Sequence, residues 1–321
     1  MTSQPSFADV RAAADRIAAI ARATPVWRSE TLTEAARVAV WLKAECEQET
    51  GSFKVRGAAN TLLQLSDAER AAGVVAVSSG NHGRAVAHVA RSLDVAATIC
   101  ISSRVPAVKV EAMERLGATV IVAGPDQDDA DAAARRLVRE EALTFVHPFD
   151  DPRVIAGQGT IGLEILEQVP DLQEVAVPLS GGGLAGGIAL AVKHEDPSAR
   201  VVGVSQDRGP AMVRTIAAGH LVDVVEEDTL ADALAGGLGP ENHHSVDLCS
   251  TLLDATYLVS EDEIAHAMAF LYREEGLTVE GGGAVGVAAL LSGRLSLRGP
   301  AVVILSGGNV GRDTLESVLS R

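Results

Sequence analysis

Short apolar runs rich in β-branched residues alternate along the chain with alanine-rich stretches of helical spacing. We predict strands over residues 74–77, 97–101, 119–122, 174–178, 201–204 and 302–305. We predict an opening helix that ends at Ala23, followed by helices over residues 83–93, 107–116, 128–141, 183–192, 209–218 and 261–275. The glycines at 281–283 predict a break in the chain before one further helix.

This alternation predicts an α/β fold. Continuously apolar strands that alternate with helices form parallel sheets covered by helices on both faces. A length of 321 residues allows two domains, and the composition changes near residues 148–152. We therefore expect a large domain made of residues 1–72 and 148–321 and a small domain made of residues 73–147.

Composition and charge exclude several classes of function. The formal net charge of −16 argues against nucleic acid and against anionic membrane surfaces as partners. No run reaches the roughly 18 apolar residues of a membrane span, and the N-terminus lacks the pattern of a secretory signal. The three cysteines are scattered, which fits a reducing compartment. We expect a cytoplasmic protein that acts on a small molecule.

Lys54 is one of only four lysines, and it lies in the segment SFKVRG at residues 52–57. A primary amine that is partly removed from water can lose its proton and attack a carbonyl to form a Schiff base, which arginine cannot do. An isolated lysine in such a place more often opens a helix at the surface. Three glycine-rich turns further along favour instead a lysine that carries a phosphorylated aldehyde.

The first of these turns is SSGNHG at residues 78–83, between a predicted strand and a predicted helix. Backbone amides at the start of a helix favour an anion. Asn81 offers an amide to a phenolate-type oxygen, while Ser79 and His82 offer polar hydrogens to a carboxylate. The alternative is a serine-rich helix cap with no ligand.

The second turn is SGGGLAGG at residues 180–187, again between a strand and a helix. Glycines let the backbone approach a phosphate closely enough for several amides to bind it. The turn lacks the lysine and hydroxyl that end a nucleotide P-loop and is not a dinucleotide fingerprint. It predicts a site for a monophosphate, with an ordinary tight turn as the alternative.

The third turn, at residues 306–309, follows the last predicted strand. A hydroxyl such as that of Ser306 can pair with a pyridine nitrogen but cannot hold it fully protonated, as a carboxylate would. Glu280 supplies an acidic group from the neighbouring segment. Its alternative role is a helix N-terminal charge that interacts with the helix dipole.

Taken together, these segments resemble the fold-type-II pyridoxal-phosphate enzymes, and among them the serine/threonine dehydratase and serine racemase branch. The resemblance runs in order over about residues 20–312 and rests on five motifs, which lie at residues 52–57, 78–83, 157–160, 180–183 and 306–309. It implies the α/β fold of the tryptophan synthase β subunit, with the large domain binding the cofactor.

The resemblance also implies roles for individual residues. Lys54 would form the Schiff base with pyridoxal 5'-phosphate and act as catalytic base, with Ser79 as a second catalytic residue. The other implied cofactor-binding residues are Phe53, Asn81, Gly181, Gly182, Gly183, Leu184, Gly239, Glu280 and Ser306. The implied substrate-binding residues are Ser78, Ser79, Gly80 and His82. We also expect a homodimer.

The chain departs from the family pattern in places. Threonine-specialised dehydratases often have alanine at the position of Ser79, whereas serine racemases and hydroxyaspartate dehydratases have serine. The segment at residues 203–211 lacks in-register ligands for the divalent cation that some relatives bind, so we expect no metal site. No segment for an amino-acid-binding regulatory domain follows Arg321, and we expect that domain to be absent.

The sequence therefore predicts an ammonia-lyase that eliminates water from a β-hydroxy amino acid and gives a 2-oxo acid and ammonia. Serine, threonine, 3-hydroxyaspartate and a hydroxyectoine-derived amino acid are the candidate substrates. One alternative is a serine or aspartate racemase of the same fold, in which Lys54 and Ser79 would serve opposite faces of the substrate. A more distant alternative is a protein that binds the cofactor without catalysis.

Overall fold

A computed structural model describes residues 3–321, and these residues form ten strands and fourteen α-helices. The strands are β1 (Val26–Arg28), β2 (Val40–Lys43), β3 (Val74–Val77), β4 (Ala97–Ile101), β5 (Thr119–Val122), β6 (Thr144–Phe145), β7 (Glu174–Pro178), β8 (Arg200–Gln206), β9 (Ala255–Val259) and β10 (Ala301–Ile304). The helices of the first half are α1 (Phe7–Ile17), α2 (Glu30–Ala36), α3 (Lys54–Leu62), α4 (Asp67–Ala72), α5 (Asn81–Ser92), α6 (Ala107–Arg115) and α7 (Gln127–Glu141). Those of the second half are α8 (Pro152–Gln168), α9 (Gly183–Glu195), α10 (Ala211–Ala218), α11 (Ser245–Leu252), α12 (Glu261–Glu274), α13 (Gly281–Leu291) and α14 (Arg312–Leu319).

The strands form two separate sheets. One has six strands in the order β1-β2-β10-β7-β8-β9, and the other has four in the order β5-β4-β3-β6. All neighbouring strands are parallel except β1 and β2, which pair antiparallel. The prediction of parallel sheets flanked by helices is confirmed, and the antiparallel edge strand is an addition that the pattern did not indicate.

The central strands of both sheets are buried on both faces, whereas the edge strand β5 is partly exposed. Successive strand residues point to opposite sides, so each central strand contributes to two cores. In β10, Val303 packs with the core around α12 and α13, whereas Val302 and Ile304 pack with the core around α8 and α9. In β3, Ala76 faces the core that contains α5, and Val75 faces α7. This double coverage explains why the strands are continuously apolar and why the pattern located them well.

The glycines of the motif at residues 157–160 serve helix packing. A side chain at Gly157 would lie 2.7 Å from the carbonyl oxygen of Arg56, so α8 crosses α3 with the two backbones nearly in contact. A side chain at Gly159 would lie 2.8 Å from the carbonyl of Gly187 in α9. Gly157 therefore helps to fix the position of α3, the helix that begins with Lys54, and Gly159 allows the close packing of α8 on α9.

Two predictions about helices were wrong, each for a tertiary reason, and one long helix was missed. The opening helix ends at Ile17 and not at Ala23, because side chains of Gln48 and Arg56 bind the backbone carbonyl of Arg22. The glycines at 281–283 are the first turn of α13, where side chains at Gly281 and Gly283 would collide with neighbouring backbone. The 17-residue helix α8 was not predicted at all. Among the described residues, no helix is long and apolar enough to cross a membrane.

Candidate active site

Lys54 is the first residue of α3, and its turn is tied to the end of strand β10. The backbone of Ser52 pairs with that of Gly307, and the Phe53 amide donates to the carbonyl of Ser306 at 3.0 Å. The turn therefore lies at the carboxyl edge of the six-stranded sheet, where ligands bind in open α/β sheets. Two predicted site residues that are 252 positions apart, Lys54 and Ser306, become neighbours in this way.

The Lys54 amine lies in a crevice and has two close neighbours. Its Nζ donates to the carbonyl oxygen of Pro148 at 2.6 Å and lies 5.2 Å from the centre of the Phe53 ring. Loss of hydration lowers the pKa of Lys54 to about 8, although the charge of Glu280 acts in the opposite direction. The positive end of the α3 dipole also disfavours the ammonium form. A substantial fraction of this amine is thus neutral and nucleophilic near neutral pH.

The turn at residues 78–83 leads from β3 directly into α5. Helix α5 begins at Asn81 without a side-chain cap, so the amides of its first turn have no partner within the helix. Ser78, Ser79 and Gly80 are all partly exposed, and a side chain at Gly80 would meet no atom within 4 Å. These amides and the Ser79 hydroxyl therefore face open space that can hold a carboxylate.

His82 differs from its neighbours because its ring is buried. Its Nε2 is 2.8 Å from the carbonyl oxygen of Val146, and burial lowers the pKa of His82 to about 3. A neutral imidazole with hydrogen on Nε2 satisfies this contact. The imidazole therefore joins the turn to the end of the four-stranded sheet, and its backbone amide is the group that lies in the open helix terminus.

Asn81 and Glu280 meet directly across the site. Asn81 Nδ2 donates to Glu280 Oε1 at 2.6 Å, and Asn309 Nδ2 donates to Asn81 Oδ1 at 2.7 Å. Burial and the charge of Asp232 raise the pKa of Glu280 to about 7. Glu280 is the N-cap residue of α13, but its side chain makes no capping bond, so its carboxylate is committed to Asn81 and not to the helix.

The glycine turn at residues 180–187 leads from β7 into α9, which has no side-chain cap. A side chain at Gly181 would overlap the ring of Phe149, and one at Gly183 would lie 2.6 Å from the Phe149 carbonyl. Gly182 has φ 84°, a conformation that favours glycine. The amides of Gly183, Leu184 and the next residue lack partners within the helix, which gives the donor set that a phosphate group needs.

Ser306 and Gly239 have different surroundings. Ser306 is buried at the end of β10, next to the Lys54 turn. Gly239 lies on an exposed turn with φ 81°, and the nearest atom to a side chain there would be the Glu241 carbonyl, 3.8 Å away. The structure therefore joins Ser306 to the other candidate residues, whereas it shows no contact between Gly239 and them.

Sequence reasoning missed three residues that complete the site. Pro148 accepts from the Lys54 amine, Phe149 packs under the glycine turn, and Asn309 joins Asn81 to the backbone of Thr50. Asn309 belongs to a recognised motif, but nothing local indicates its partner. Pro148 and Phe149 mark the composition change at residues 148–152, and that signal predicted only a domain crossing.

No group of three or more histidine, cysteine, aspartate or glutamate side chains that could hold a metal occurs within residues 3–321. In the segment where some relatives carry metal ligands, Ser205 Oγ donates to Gln206 Oε1 at 3.1 Å, and Gln206 Nε2 donates to the Leu234 carbonyl at 3.2 Å. Both side chains are buried. In this segment, hydrogen bonds of the Gln206 side-chain amide occupy the place where metal ligands would be needed.

The family model for pyridoxal-phosphate dependent enzymes matches residues 17–307. The chain belongs to this family. It is 50% identical to the "Putative threonine dehydratase" of Sinorhizobium fredii, over 96% of this chain and 93% of that protein. It is 39% identical to the "L-threonine ammonia-lyase" of Thermotoga maritima, over 98% of this chain and 78% of that protein.

Solved structures show the same fold. Maize serine racemase superposes with a TM-score of 0.93 at 33% identity and covers 99% of this chain and 98% of its own. The serine racemase of Dictyostelium discoideum superposes with a TM-score of 0.90 at 31% identity, covering 96% of this chain and 100% of its own. These structures show fold type II, and the dehydratase and ammonia-lyase relatives show the reaction class. The protein is a pyridoxal-phosphate-dependent lyase of fold type II.

The residues present fit this cofactor. The uncapped amides of α9 suit its phosphate, and the amine of Lys54 suits its aldehyde. The Phe149 ring closes the space that side chains at Gly181 and Gly183 would fill, so a close approach to backbone is built into the turn. The pyridoxal-phosphate requirement of the family and the chemistry of this crevice therefore agree.

Proposed function

We propose that the protein is an ammonia-lyase that eliminates water from a β-hydroxy amino acid and releases a 2-oxo acid and ammonia. The observation that carries the proposal is the Lys54 amine, whose pKa is lowered to about 8 and which lies beside an open helix terminus at residues 78–83. The names of the relatives, threonine dehydratase and L-threonine ammonia-lyase, support this reaction type.

We propose the following residues for binding the cofactor. Lys54 holds the aldehyde carbon, and Phe53 packs against the ring. Residues 181–184 bind the phosphate. Asn81 and Ser306 make polar contacts to the ring, and Glu280 accepts a hydrogen bond from Asn81. When bound, pyridoxal phosphate supplies an electron-withdrawing ring that stabilises negative charge at the substrate Cα.

The chain's own residues then position the substrate and move a proton. The amides at residues 80–82 and the Ser79 hydroxyl bind the substrate carboxylate, which directs the Cα–H bond toward Lys54. The substrate amine first replaces Lys54 at the aldehyde carbon, which leaves Lys54 as a free neutral amine. Lys54 then takes the α-proton, and a proton is returned to the β-hydroxyl, which leaves as water. The released enamine takes up water and gives the 2-oxo acid and ammonia.

The main competing function is amino-acid racemisation. Its support is Ser79, a hydroxyl at the position where a second acid–base group would act, together with the likeness to maize serine racemase. Racemisation needs proton transfer on both faces of Cα, whereas elimination needs it on one. We favour elimination because the relatives at 50% and 39% identity carry dehydratase or ammonia-lyase names.

The test is a substrate panel with purified protein loaded with pyridoxal phosphate. Both enantiomers of serine, threonine and 3-hydroxyaspartate, and a hydroxyectoine-derived amino acid, are assayed for 2-oxo acid and ammonia. Exchange of the α-hydrogen with solvent deuterium is measured in parallel. Elimination from one or more substrates supports the proposal. Exchange with inversion that far exceeds 2-oxo-acid release would show a racemase, and an unchanged cofactor absorbance with every substrate would show a non-catalytic protein.

Domain organisation, assembly and location complete the proposal. We propose that residues 1–72 and 148–321 form the large domain and residues 73–147 the small one, which is supported by the way the two sheets divide the chain. We further propose a homodimer, as the family resemblance implies, and a cytoplasmic location, which the scattered cysteines support. Sedimentation of the purified protein and fractionation of cells test these two points.

A further inference from the structure

The connection from β6 to α8 contacts Lys54 itself and three segments near it. Four of its residues bind four different partners. These contacts are Val146 to His82, Pro148 to Lys54, Phe149 to the turn around Gly181, and Asp150 to the start of α11. The path of these few residues therefore sets where the acceptor for the Lys54 amine lies.

His147 stabilises this connection through hydrogen bonds to the connection's own backbone. Its Nδ1 accepts from the amides of Phe149 at 3.2 Å and Asp150 at 2.7 Å, so the two donors enclose Pro148 in a tight turn. Because both partners are N–H donors, Nδ1 carries no proton and the hydrogen is on Nε2. The ring also packs edge-on against Phe149, with ring centres 4.7 Å apart.

Asp150 fixes the far side of the same turn. Its carboxylate accepts from the amides of His243 at 2.7 Å, His244 at 2.9 Å and Ser245 at 2.8 Å. Helix α11, which begins at Ser245, packs in turn beneath Gly182, where a side chain would lie 2.9 Å from Cys249 Sγ. The turn is thus braced against the glycine turn and has little freedom to re-form elsewhere.

We propose that His147 is a positioning residue that directs the Pro148 carbonyl at the Lys54 amine, and so holds this amine in place until it reacts with a carbonyl ligand. The inference rests on the proposed function only in taking Lys54 as the reactive amine. A carbonyl acceptor at 2.6 Å orients the nitrogen and stabilises its protonated form. Without the turn, the side chain would sample several rotamers in the crevice.

The charges around both groups define the expected pH dependence. Lys54 faces Glu280 from α13, His82 from α5 and His147 itself. His147 faces Asp150, Asp151, Lys54 and Arg135, and burial lowers its pKa to about 4. His147 therefore stays neutral, with Nδ1 able to accept, above about pH 5.

Two substitutions test the hydrogen-bond acceptor and the aromatic ring of His147 separately. His147→Asn keeps an acceptor close to the position of Nδ1 and removes the ring, while His147→Phe keeps an aromatic ring and removes the acceptor. His220→Leu serves as the control, because His220 is exposed and its Nδ1 lies 3.1 Å from the Ala218 carbonyl oxygen, two residues away in the chain. Each protein is prepared without cofactor, and the rate of covalent capture of pyridoxal phosphate is measured against pH.

At a pH above the midpoint, where the amine is fully neutral, we expect His147→Phe to capture pyridoxal phosphate on the order of tenfold more slowly, because the Pro148 carbonyl no longer holds the amine in one orientation. The pH midpoint should also fall, because the ammonium form loses its acceptor. His147→Asn should remain within about threefold of the unmodified protein. The affinity for pyridoxine phosphate, which has the phosphate but no aldehyde, should change less than about threefold in both. A role confined to folding would reduce this affinity as well.

Two results would overturn the inference: capture by His147→Phe at the normal rate and midpoint, or an equal loss in His147→Asn and His147→Phe. Hydrogen exchange in the unmodified protein gives a second measurement if His147→Phe does not fold. The Phe149 and Asp150 amides should be protected, and exchange at the rate of an open chain would also overturn it. If Lys54 captures the cofactor but no substrate is dehydrated, the proposed function fails while the positioning role stands.

Discussion

Replacing Glu280 by glutamine should make Lys54 more reactive toward pyridoxal phosphate. Glu280 is the group whose charge raises the pKa of Lys54, against the effect of burial. Glutamine keeps an oxygen that can accept from Asn81, and its side chain is nearly the same size as that of glutamate. The change therefore removes the charge and leaves the contact geometry nearly intact.

The size of the effect follows from the pKa values. With a pKa of about 8, about one amine in ten is neutral at pH 7, compared with about one in 3,000 for an ordinary lysine. Because one-tenth is already neutral, Glu280→Gln can raise the capture rate at pH 7 by about tenfold at most. The pKa of Glu280 is about 7, so the difference should vanish below about pH 6, where the native carboxyl is protonated.

The assay is the rate of covalent capture of pyridoxal phosphate by cofactor-free protein, followed by absorbance between pH 5.5 and 9. Borohydride reduction and peptide mapping identify the modified lysine, and Lys54→Ala should give no capture. Glu227→Gln is the matched control, because Glu227 is exposed. A midpoint that stays at its native value or rises in Glu280→Gln would refute the electrostatic reasoning, and an adduct on Lys43 would refute the role of Lys54.

Further predictions concern single positions. Ser79→Ala should leave elimination from the L-substrate largely intact and remove any racemisation; if the protein is chiefly a racemase, the same change should instead reduce interconversion of the two enantiomers in both directions by a factor on the order of 10². Ser306→Ala should lower turnover while the cofactor stays covalently bound, and unchanged kinetics would show that Ser306 does not face the ring nitrogen. Gly181→Ala should lower the free energy of unfolding by about 1–3 kcal/mol, because the added methyl group overlaps Phe149, and it should weaken cofactor binding in an equilibrium titration. Gly237→Ala, which has open space around it, should change neither the stability nor the cofactor affinity. The folded-state pKa of His82, about 3, lies below its unfolded value of about 6.5, so the stability that His82 contributes is present above pH 6.5 and is lost as the pH falls. Between pH 6.5 and 5, urea unfolding should show that His82→Gln loses about 2 kcal/mol less stability than the unmodified protein.

Local patterns in the sequence determined much of the fold. The central strands at residues 74–77, 97–101 and 174–178 have the predicted bounds, because strands buried on both faces are largely apolar and these three end at or just before serine or proline. The edge strand at residues 119–122 also has the predicted bounds, although its first and last residues are exposed. Helix α8 was missed because its glycines interrupt the apolar pattern, although those glycines are what allow it to cross α3 and α9. A residue that exists for contact with a distant element carries no local signal.

The sequence by itself determined the family, the cofactor and the lysine that we propose reacts with it, because a small set of residue types in a fixed order is enough to specify phosphate and aldehyde chemistry. Only the tertiary structure decided the state of the groups around that lysine. The pKa of Lys54 depends on burial in the crevice and on Glu280, which is 226 residues away in the chain. The direction of the Pro148 carbonyl likewise depends on a turn held by His147 and braced by α11. Desolvation and hydrogen bonding between distant segments exist only after the chain has folded, and they set the reactivity of this site.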